Sequence, residues 1–301
     1  YRNDTNTEPP LVMLHGYSAS STTWAHPAIP NCAAAYFHRR GRDIWLVDLR
    51  TSCGYLTAML PWQFEDVAFQ DIPLALNHIL HKTNNTQCDI IAHCMGAAML
   101  SMSILKSPQP GDAYFKERKH LPNIIRNLVI TQVGPKVSFS PMNMTRGYLL
   151  KNARHLLGNL PFKFRPNDAP STLESLFDRL LQALPYPEHE FSRENPTFSG
   201  KFIRWSATRR RIDALYGQAL SLSNMSDELL TYIDDIFGPL SMGTLSQTIH
   251  FALQEQITNF DGENIYATAD NFRDRWCFNT LSVHGGKSGL ADIGTATLLN
   301  Q

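Results

Sequence analysis

The sequence predicts an α/β fold, with a mostly parallel sheet, helices on both faces and a helical insertion. Short runs of almost entirely apolar residues alternate with segments of helical periodicity. Such strands are typical of parallel sheets that are covered on both faces. The alternation stops after Pro135 and resumes near Phe278. We therefore predict a core of residues 1–135 and 277–301, and a helical cap or lid insertion of residues 136–276.

The core elements follow from local patterns along the chain. The first strand ends in a glycine turn, His15-Gly16, which is a strong stop signal. The predicted strands are Leu11 to Leu14, Asp43 to Leu49, Asp89 to Ala92, Leu128 to Val133 and Phe278 to Val283. The predicted helices are Phe64 to Leu80 and Gly96 to Leu105 in the core, and Thr172 to Leu184, Asp227 to Ile236 and Leu245 to Gln256 in the insertion.

The composition is that of an ordinary globular protein. The chain has 301 residues, of which 43% are hydrophobic and 18% are charged. Lys+Arg and Asp+Glu both number 27, so the formal net charge is zero, and we expect no binding to nucleic acid. No apolar run approaches the ~20 residues that a membrane-spanning helix needs.

The cysteine content and the first residue bear on the origin of the chain. The five cysteines are an odd number at irregular spacings, so a reducing, intracellular compartment is favoured over a disulfide framework. The chain begins with Tyr1 rather than methionine. We therefore expect an excised segment whose fold is truncated at both ends.

A strand followed by a cysteine-containing turn is the most informative stretch. Ala92-His93-Cys94-Met95-Gly96 has the shape of the nucleophile elbow of α/β hydrolases, with Cys94 at the serine position. Small residues such as Ala92 and Gly96 are needed there because the strand and helix backbones nearly touch. The side chain of His93 is expected to point away and pack. The alternative is a buried structural cysteine on an ordinary turn.

Two backbone amides are predicted to form an oxyanion hole beside Cys94. One is the N–H of Met95, at the start of the following helix. The other should come from the loop after the first strand, His15-Gly16-Tyr17, with the N–H of Tyr17 as the candidate. The partial positive charge at the helix N-terminus would also favour the thiolate of Cys94.

The rest of a catalytic triad is less clearly indicated. In this fold the chain order is nucleophile, acid, histidine. Lys287 and Ser288 occupy the usual position of the acid, and Asp292 is the next candidate, although it could equally cap the helix that begins near Ile293. The histidine is expected after one further strand, beyond the sequence given. The sequence shows no residue spacing that is typical of a metal site, and no Gly-x-Gly-x-x-Gly motif follows a strand. We therefore expect no metal site and no cofactor in this segment.

These residues resemble a known module. Residues 41–52, Gly-Arg-Asp-Ile-Trp-Leu-Val-Asp-Leu-Arg-Thr-Ser, and the Ala92 to Gly96 elbow resemble the α/β-hydrolase module that is fused to glucose–methanol–choline (GMC) flavin oxidoreductases of the cholesterol-oxidase-like type. Residues 64–68 and 71–73 are similar to the helix that follows in that module. Its insertion is resembled by Tyr216-Gly217, residues 236–238, residues 260–262 and Tyr266. The resemblance implies a catalytic histidine beyond this segment, and FAD on an upstream domain of a longer protein.

Three functions remain open at this point. The first is a Cys-dependent acyl hydrolase or acyltransferase acting on small lipid- or sterol-type esters or thioesters. The second is a catalytically inactive module of a multidomain FAD-dependent GMC oxidoreductase. The third is a free-standing cysteine hydrolase related to dienelactone hydrolases. For the first, the candidate pocket-lining residues of the insertion are Tyr186, Phe191, Phe202, Trp205 and His250.

Overall fold

A computed structural model describes most of the chain. The described residues are 8–141, 143–144, 161–164, 169, 171–182, 211–212, 216, 232–286 and 288–300. The strands within them are β1 (Leu11–Leu14), β2 (Ile44–Val47), β3 (Cys88–His93), β4 (Ile125–Thr131), β5 (Pro161–Phe162), β6 (Leu240–Ser241) and β7 (Asn279–Val283). Five of these form one parallel sheet in the order β2-β1-β3-β4-β7. The predicted α/β fold with a mostly parallel sheet is confirmed.

Helices flank the sheet. They are α1 (Thr22–Ala25), α2 (Ala33–His38), α3 (Phe64–Asp66), α4 (Ile72–Thr83), α5 (Met95–Leu105), α6 (Phe115–Lys119), α7 (Leu121–Ile124), α8 (Thr172–Gln182), α9 (Ile233–Ile236), α10 (Met242–Gln254), α11 (Ala269–Arg275) and α12 (Gly294–Leu299). A 3₁₀ turn covers Leu56–Met59, and a π turn, Val67–Asp71, joins α3 to α4. Pro73 follows the π turn and has no N–H to donate, which interrupts the α-helical hydrogen-bond ladder there.

The sheet register brings the ends of several strands together. Leu14 of β1 pairs with Ala92 of β3, and His93 pairs with Thr131 of β4. Because parallel strands end at the same edge of a sheet, the residues that follow them are neighbours. The loop after β1 therefore lies beside the turn between β3 and α5. Every residue of α5 is buried, so the helix predicted from Gly96 to Leu105 lies in the core.

Residues 136–276, the predicted insertion, contain a strand pair that the sequence patterns do not indicate. Pro161 pairs with Ser241, and Phe162 with Leu240, in antiparallel orientation. Only helices are predicted in this range, so β6, both residues of which are buried, is missed. Two residues are too few to produce a recognisable alternation, so only tertiary pairing defines this strand.

Two general properties complete the fold. All five cysteine thiols are free. In the part of the chain that the structure describes, none of the helices combines the length and apolar character that spanning a membrane would require.

Candidate active site

Cys94 occupies a strained turn between β3 and α5. Its φ is +53° and its ψ is −128°, a conformation that residues with a side chain rarely adopt. Such strain costs about 1–3 kcal/mol and persists only where the surrounding structure enforces it. Here the N–H of Cys94 donates to the carbonyl of Thr131 at 2.9 Å, and the carbonyl of Cys94 accepts from Ala97 at 2.9 Å. The turn thus has the strand-to-helix geometry predicted for residues 92–96.

Two glycines let the loop after β1 approach this turn. A Cβ atom on Gly96 would lie 2.2 Å from the carbonyl oxygen of His15. A Cβ atom on Gly16 would lie 3.0 Å from the Cβ of Cys94 and 3.3 Å from the ring of His93. The turn and the loop are therefore in direct contact, and a side chain at position 96 has no room.

The backbone amides of Tyr17 and Met95 both act on the thiol of Cys94 and lower its pKa. These are the two amides predicted to form an oxyanion hole. Two donors that converge on a nucleophile can stabilise negative charge on an oxygen that forms beside it. The structure thus brings the predicted nucleophile and both predicted donors together.

The state of the thiol differs from the sequence-based expectation. Burial raises the pKa of Cys94, and the hydrogen bonds from Met95 and Tyr17 only partly oppose that effect. The Met95 amide at the helix N-terminus lowers this pKa, in the predicted direction, but desolvation outweighs its contribution. A base is required to remove the proton at neutral pH.

His15 holds the loop after β1 in place. The N–H of Leu49 donates to its Nε2 at 3.1 Å, so its Nδ1 carries the proton and donates to the carbonyl of Gly16 at 2.8 Å. Burial lowers the pKa of His15, against opposing effects of the Gly16 carbonyl and Asp48. His15 is therefore neutral at physiological pH, and both ring nitrogens are engaged in the loop.

His93 packs beside the elbow, as its position suggested. Its Nδ1 lies 2.7 Å from Oγ1 of Thr131, and its ring meets Trp24 edge-on at a centroid distance of 6.1 Å. Burial, and secondarily the proximity of His15, lower the pKa of His93 to about 4. Among the described residues, no histidine hydrogen-bonds to the thiol of Cys94.

The other candidate residues are dispersed. Oδ1 of Asp292 accepts a hydrogen bond of 2.7 Å from the N–H of Gly294, at the start of α12. The carboxylate thus caps a helix, which was the alternative to the role of catalytic acid; that role stays a prediction. His250 packs against Gly262, whose added Cβ would lie 2.7 Å from the histidine Nδ1. The lining candidates Tyr186, Phe191, Phe202 and Trp205 lie outside the described residues, as does Lys287.

Further residues hold the oxyanion loop, and the sequence patterns did not identify them as functional. Ser18 has a φ of +50°, and its Oγ lies 2.7 Å from the hydroxyl of Tyr216. The carbonyl of Ser18 accepts from the N–H of Gly238 at 2.7 Å. The Tyr17 hydroxyl donates to the carbonyl of Ser241 at 3.0 Å. These partners lie about 200 residues away in sequence, so no local pattern could reveal them.

Comparison with known families identifies the fold family. Residues 9–301 match the family described as the alpha/beta hydrolase fold. The chain belongs to this family.

Within the described residues, no group of three or more His, Cys, Asp or Glu residues could hold a metal ion.

Several solved structures of α/β hydrolases resemble the chain at low sequence identity. A thermophilic esterase from Thermogutta terrifontis is 11% identical, with 98% of this chain and 78% of that chain covered at a TM-score of 0.46. An α/β hydrolase fold protein from Burkholderia ambifaria is 15% identical, with coverages of 98% and 79% and a TM-score of 0.44. An α/β hydrolase enzyme from a Medee basin deep-sea metagenome library is 12% identical, with coverages of 97% and 77% and a TM-score of 0.44. These proteins are too distant for a substrate or a catalytic residue to be transferred.

Proposed function

We propose that this α/β hydrolase is an acyl hydrolase or acyltransferase with Cys94 as its nucleophile. The observation that carries the proposal is the convergence of the Tyr17 and Met95 amides on the thiol. A buried structural cysteine needs neither amide and gains nothing from a strained backbone. The family supports the hydrolase class, and the elbow geometry supports the residue.

The proposed reaction has two steps. A base removes the thiol proton, and the sulfur of Cys94 attacks the acyl carbon of an ester or thioester, forming a C–S bond. The carbonyl electron pair moves to the oxygen, which the amides of Tyr17 and Met95 receive. Collapse breaks the bond to the leaving alcohol or thiol, which takes up the proton. Water or an acceptor alcohol then attacks the acyl carbon of the acyl-cysteine. The C–S bond breaks, the acid or ester product leaves, and the proton of the attacking group returns through the base to the sulfur of Cys94.

The base is the least defined part of this proposal. His15 and His93 are both neutral, and their hydrogen bonds to the surrounding loop and strand are already formed. We propose a histidine outside the described residues, with Asp292 as the candidate acid. The raised pKa of the Cys94 thiol makes this base indispensable near neutral pH.

We propose a lipid-like or sterol-type acyl substrate. Phe164, Tyr216 and Phe237 of the insertion form an aromatic cluster with centroid distances of 5.5, 5.7 and 6.0 Å. Tyr216 joins this cluster to the oxyanion loop through Ser18. Tyr216 also interacts electrostatically with Cys94, and apolar surroundings of a nucleophile suit an apolar acyl group better than a charged one.

The test is Cys94→Ala in the full-length protein, with p-nitrophenyl butyrate and p-nitrophenyl palmitate as substrates. We expect the variant to lose at least about 10³-fold in kcat/KM, because the attacking atom is gone. Cys277→Ala is the matched control, since Cys277 is an exposed free thiol, and it should retain the parent rate. Mass spectrometry of the acylated protein should place the acyl group on the Cys94 peptide. An unchanged rate in Cys94→Ala would eliminate the proposal.

A second candidate function is a catalytically inactive hydrolase-like module of an FAD-dependent GMC, cholesterol-oxidase-like protein. The engagement of Asp292 in capping α12 favours it. In this case FAD would belong to another domain of a longer polypeptide, and no step of chemistry would pass through Cys94. Robust ester turnover that depends on Cys94 would exclude this candidate.

A further inference from the structure

The insertion holds both residues of the oxyanion loop that follow Gly16. The hydroxyl of Tyr17 is bound by Ser241 and Thr244. The Oγ of Ser18 is bound by Tyr216, and its carbonyl by Gly238. The side chains of Tyr17 and Ser18 and the carbonyl of Ser18 therefore all hydrogen-bond to residues of the insertion.

We infer that Tyr216 and Gly238 are positioning residues, which hold Ser18 in its left-handed conformation and thereby direct the Tyr17 amide at Cys94. The inference rests on the proposed function, since it concerns the same oxyanion hole. Ser18 is the residue directly after that amide, and a serine with a φ of +50° is strained unless its surroundings fix it. The two hydrogen bonds from the insertion provide that restraint.

Gly238 is suited to this contact by its lack of a side chain. A Cβ atom there would lie 1.9 Å from the Cβ of Cys53 and 2.6 Å from its Cα. Any larger residue would push the segment away from Cys53 and lengthen the 2.7 Å bond to Ser18. The segment before Gly238 is also docked on the start of α1, because the carbonyl of Asp235 accepts from the hydroxyl of Thr22 at 2.7 Å.

Tyr216 is held independently of its hydroxyl. Its ring stacks on Phe164 at 5.5 Å and contacts Phe237 at 6.0 Å. Its carbonyl accepts from the side-chain amide of Asn143 at 3.1 Å. Removal of the hydroxyl alone should therefore leave the ring in place and release only Ser18.

The experiment compares Tyr216→Phe, Ser18→Ala and the double variant in the full-length protein. We expect each single variant to lower kcat about three- to tenfold with KM nearly unchanged, which is the effect of one weakened hydrogen bond expressed in the transition state. The double variant should be no worse than either single one, because both remove the same bond. Tyr232→Phe, in the same insertion but with a 43% exposed side chain, is the control.

A second readout separates this inference from the proposed function. The pH dependence of Cys94 alkylation by iodoacetamide is measured by mass spectrometry, with the other four cysteines as internal references. Weaker contact with the Tyr17 amide should move the Cys94 midpoint upward by about half a pH unit and slow alkylation about threefold at neutral pH. This holds even if the protein turns over no ester. A wild-type alkylation profile in both Tyr216→Phe and Ser18→Ala would overturn the inference, as would additive losses in the double variant.

Discussion

The residue that most tightly constrains the candidate site is a glycine with no chemistry of its own. We predict that Gly96→Ala destabilises the protein by about 3 kcal/mol or more, because the added Cβ meets the His15 carbonyl, a backbone atom that cannot move aside. Urea denaturation followed by circular dichroism measures the change. Gly54→Ala is the control, since nothing lies within 4 Å of a Cβ there. Equal midpoints for the two variants would contradict the close approach.

At this scale, the sequence predicts what is local and misses what depends on distant neighbours. Cys94 and the amide of Met95 belong to one turn, and the small-x-Cys-x-Gly pattern identifies both. The amide of Tyr17 follows from the rule that parallel strands end at one edge. The protonation of the thiol could not be predicted, because burial by residues from many parts of the chain outweighs the local helix N-terminus. The partners of Ser18 escaped prediction for the same reason.

At the scale of elements, Glu65 at the start of the α3–π–α4 segment connects the core to the predicted insertion. Its Oε1 accepts from the N–H of Phe260 at 2.8 Å and the hydroxyl of Tyr266 at 3.2 Å. Its Oε2 accepts from Nε2 of Gln247 at 2.8 Å, while Oε1 of Gln247 accepts from the N–H of Phe64 at 3.0 Å. One carboxylate therefore joins the segment, α10 and the loop before α11.

We predict that Glu65→Ala lowers the free energy of unfolding by about 2–4 kcal/mol, because partly buried donors lose their acceptor. Glu65→Gln should fall between this variant and the wild type. The glutamine keeps one oxygen that accepts from Phe260 and Tyr266, but its amide nitrogen faces the side-chain nitrogen of Gln247. The Gln247 amide cannot flip without losing its hydrogen bond from the N–H of Phe64. Chemical denaturation of all three proteins measures the order. If Glu65→Gln were the less stable variant, the hydrogen-bond assignment would be wrong.

The observed ends of strands and helices show how accurately hydrophobic periodicity predicts element boundaries. The fourth strand was predicted from Leu128 to Val133 and is observed at Ile125–Thr131. Arg126 and Asn127 broke its apolar run, yet both pair with Asp89 on the neighbouring strand. The insertion helix was predicted from Leu245, whereas α10 begins at Met242, where the Oγ of Ser241 accepts from Gly243. Polar residues with tertiary partners therefore displaced the first boundary, and a local serine cap displaced the second.

On the scale of the whole molecule, the two ends of the parallel strands, here called the carboxyl edge and the amino edge of the sheet, have different roles. The carboxyl edge carries the strained turn and the oxyanion loop. At the amino edge, Asp89 accepts from Arg42 at 2.6 Å, from Arg126 at 2.9 and 2.6 Å, and from Asn127 at 2.9 Å. Arg126 also reaches Glu8 at 2.7 Å. These bonds connect the segment before β2, the first residues of β3 and β4, and the chain that leads into β1. The amino edge therefore stabilises the sheet.

Asp89 makes the stability of the fold depend on pH. Burial alone would raise the pKa of Asp89, but hydrogen bonds from Arg126, Arg42 and Asn127 outweigh it and lower the pKa below its ordinary value. A carboxyl whose pKa is lower in the folded state stabilises the fold above its unfolded pKa, near 4 for aspartate, and loses that contribution as pH falls through the folded pKa. We predict that Asp89→Asn is less stable than the wild type by about 1–3 kcal/mol near neutral pH, and that the difference shrinks as the pH falls below about 4.

Urea denaturation at a series of pH values measures both effects. Asp270→Asn is the matched control, because Asp270 pairs with Arg273 at 2.8 Å with 77% and 68% of the two side chains exposed. Such a surface pair contributes little, so the control should stay within about 0.5 kcal/mol of the wild type at every pH. A gap between Asp89→Asn and the wild type that is constant across the acidic range would show that shape, and not charge, carries the contribution of Asp89. A gap that closes on acidification would place the acid sensitivity of the fold at the edge opposite Cys94, so loss of activity near pH 4 would then reflect unfolding and not titration of the nucleophile.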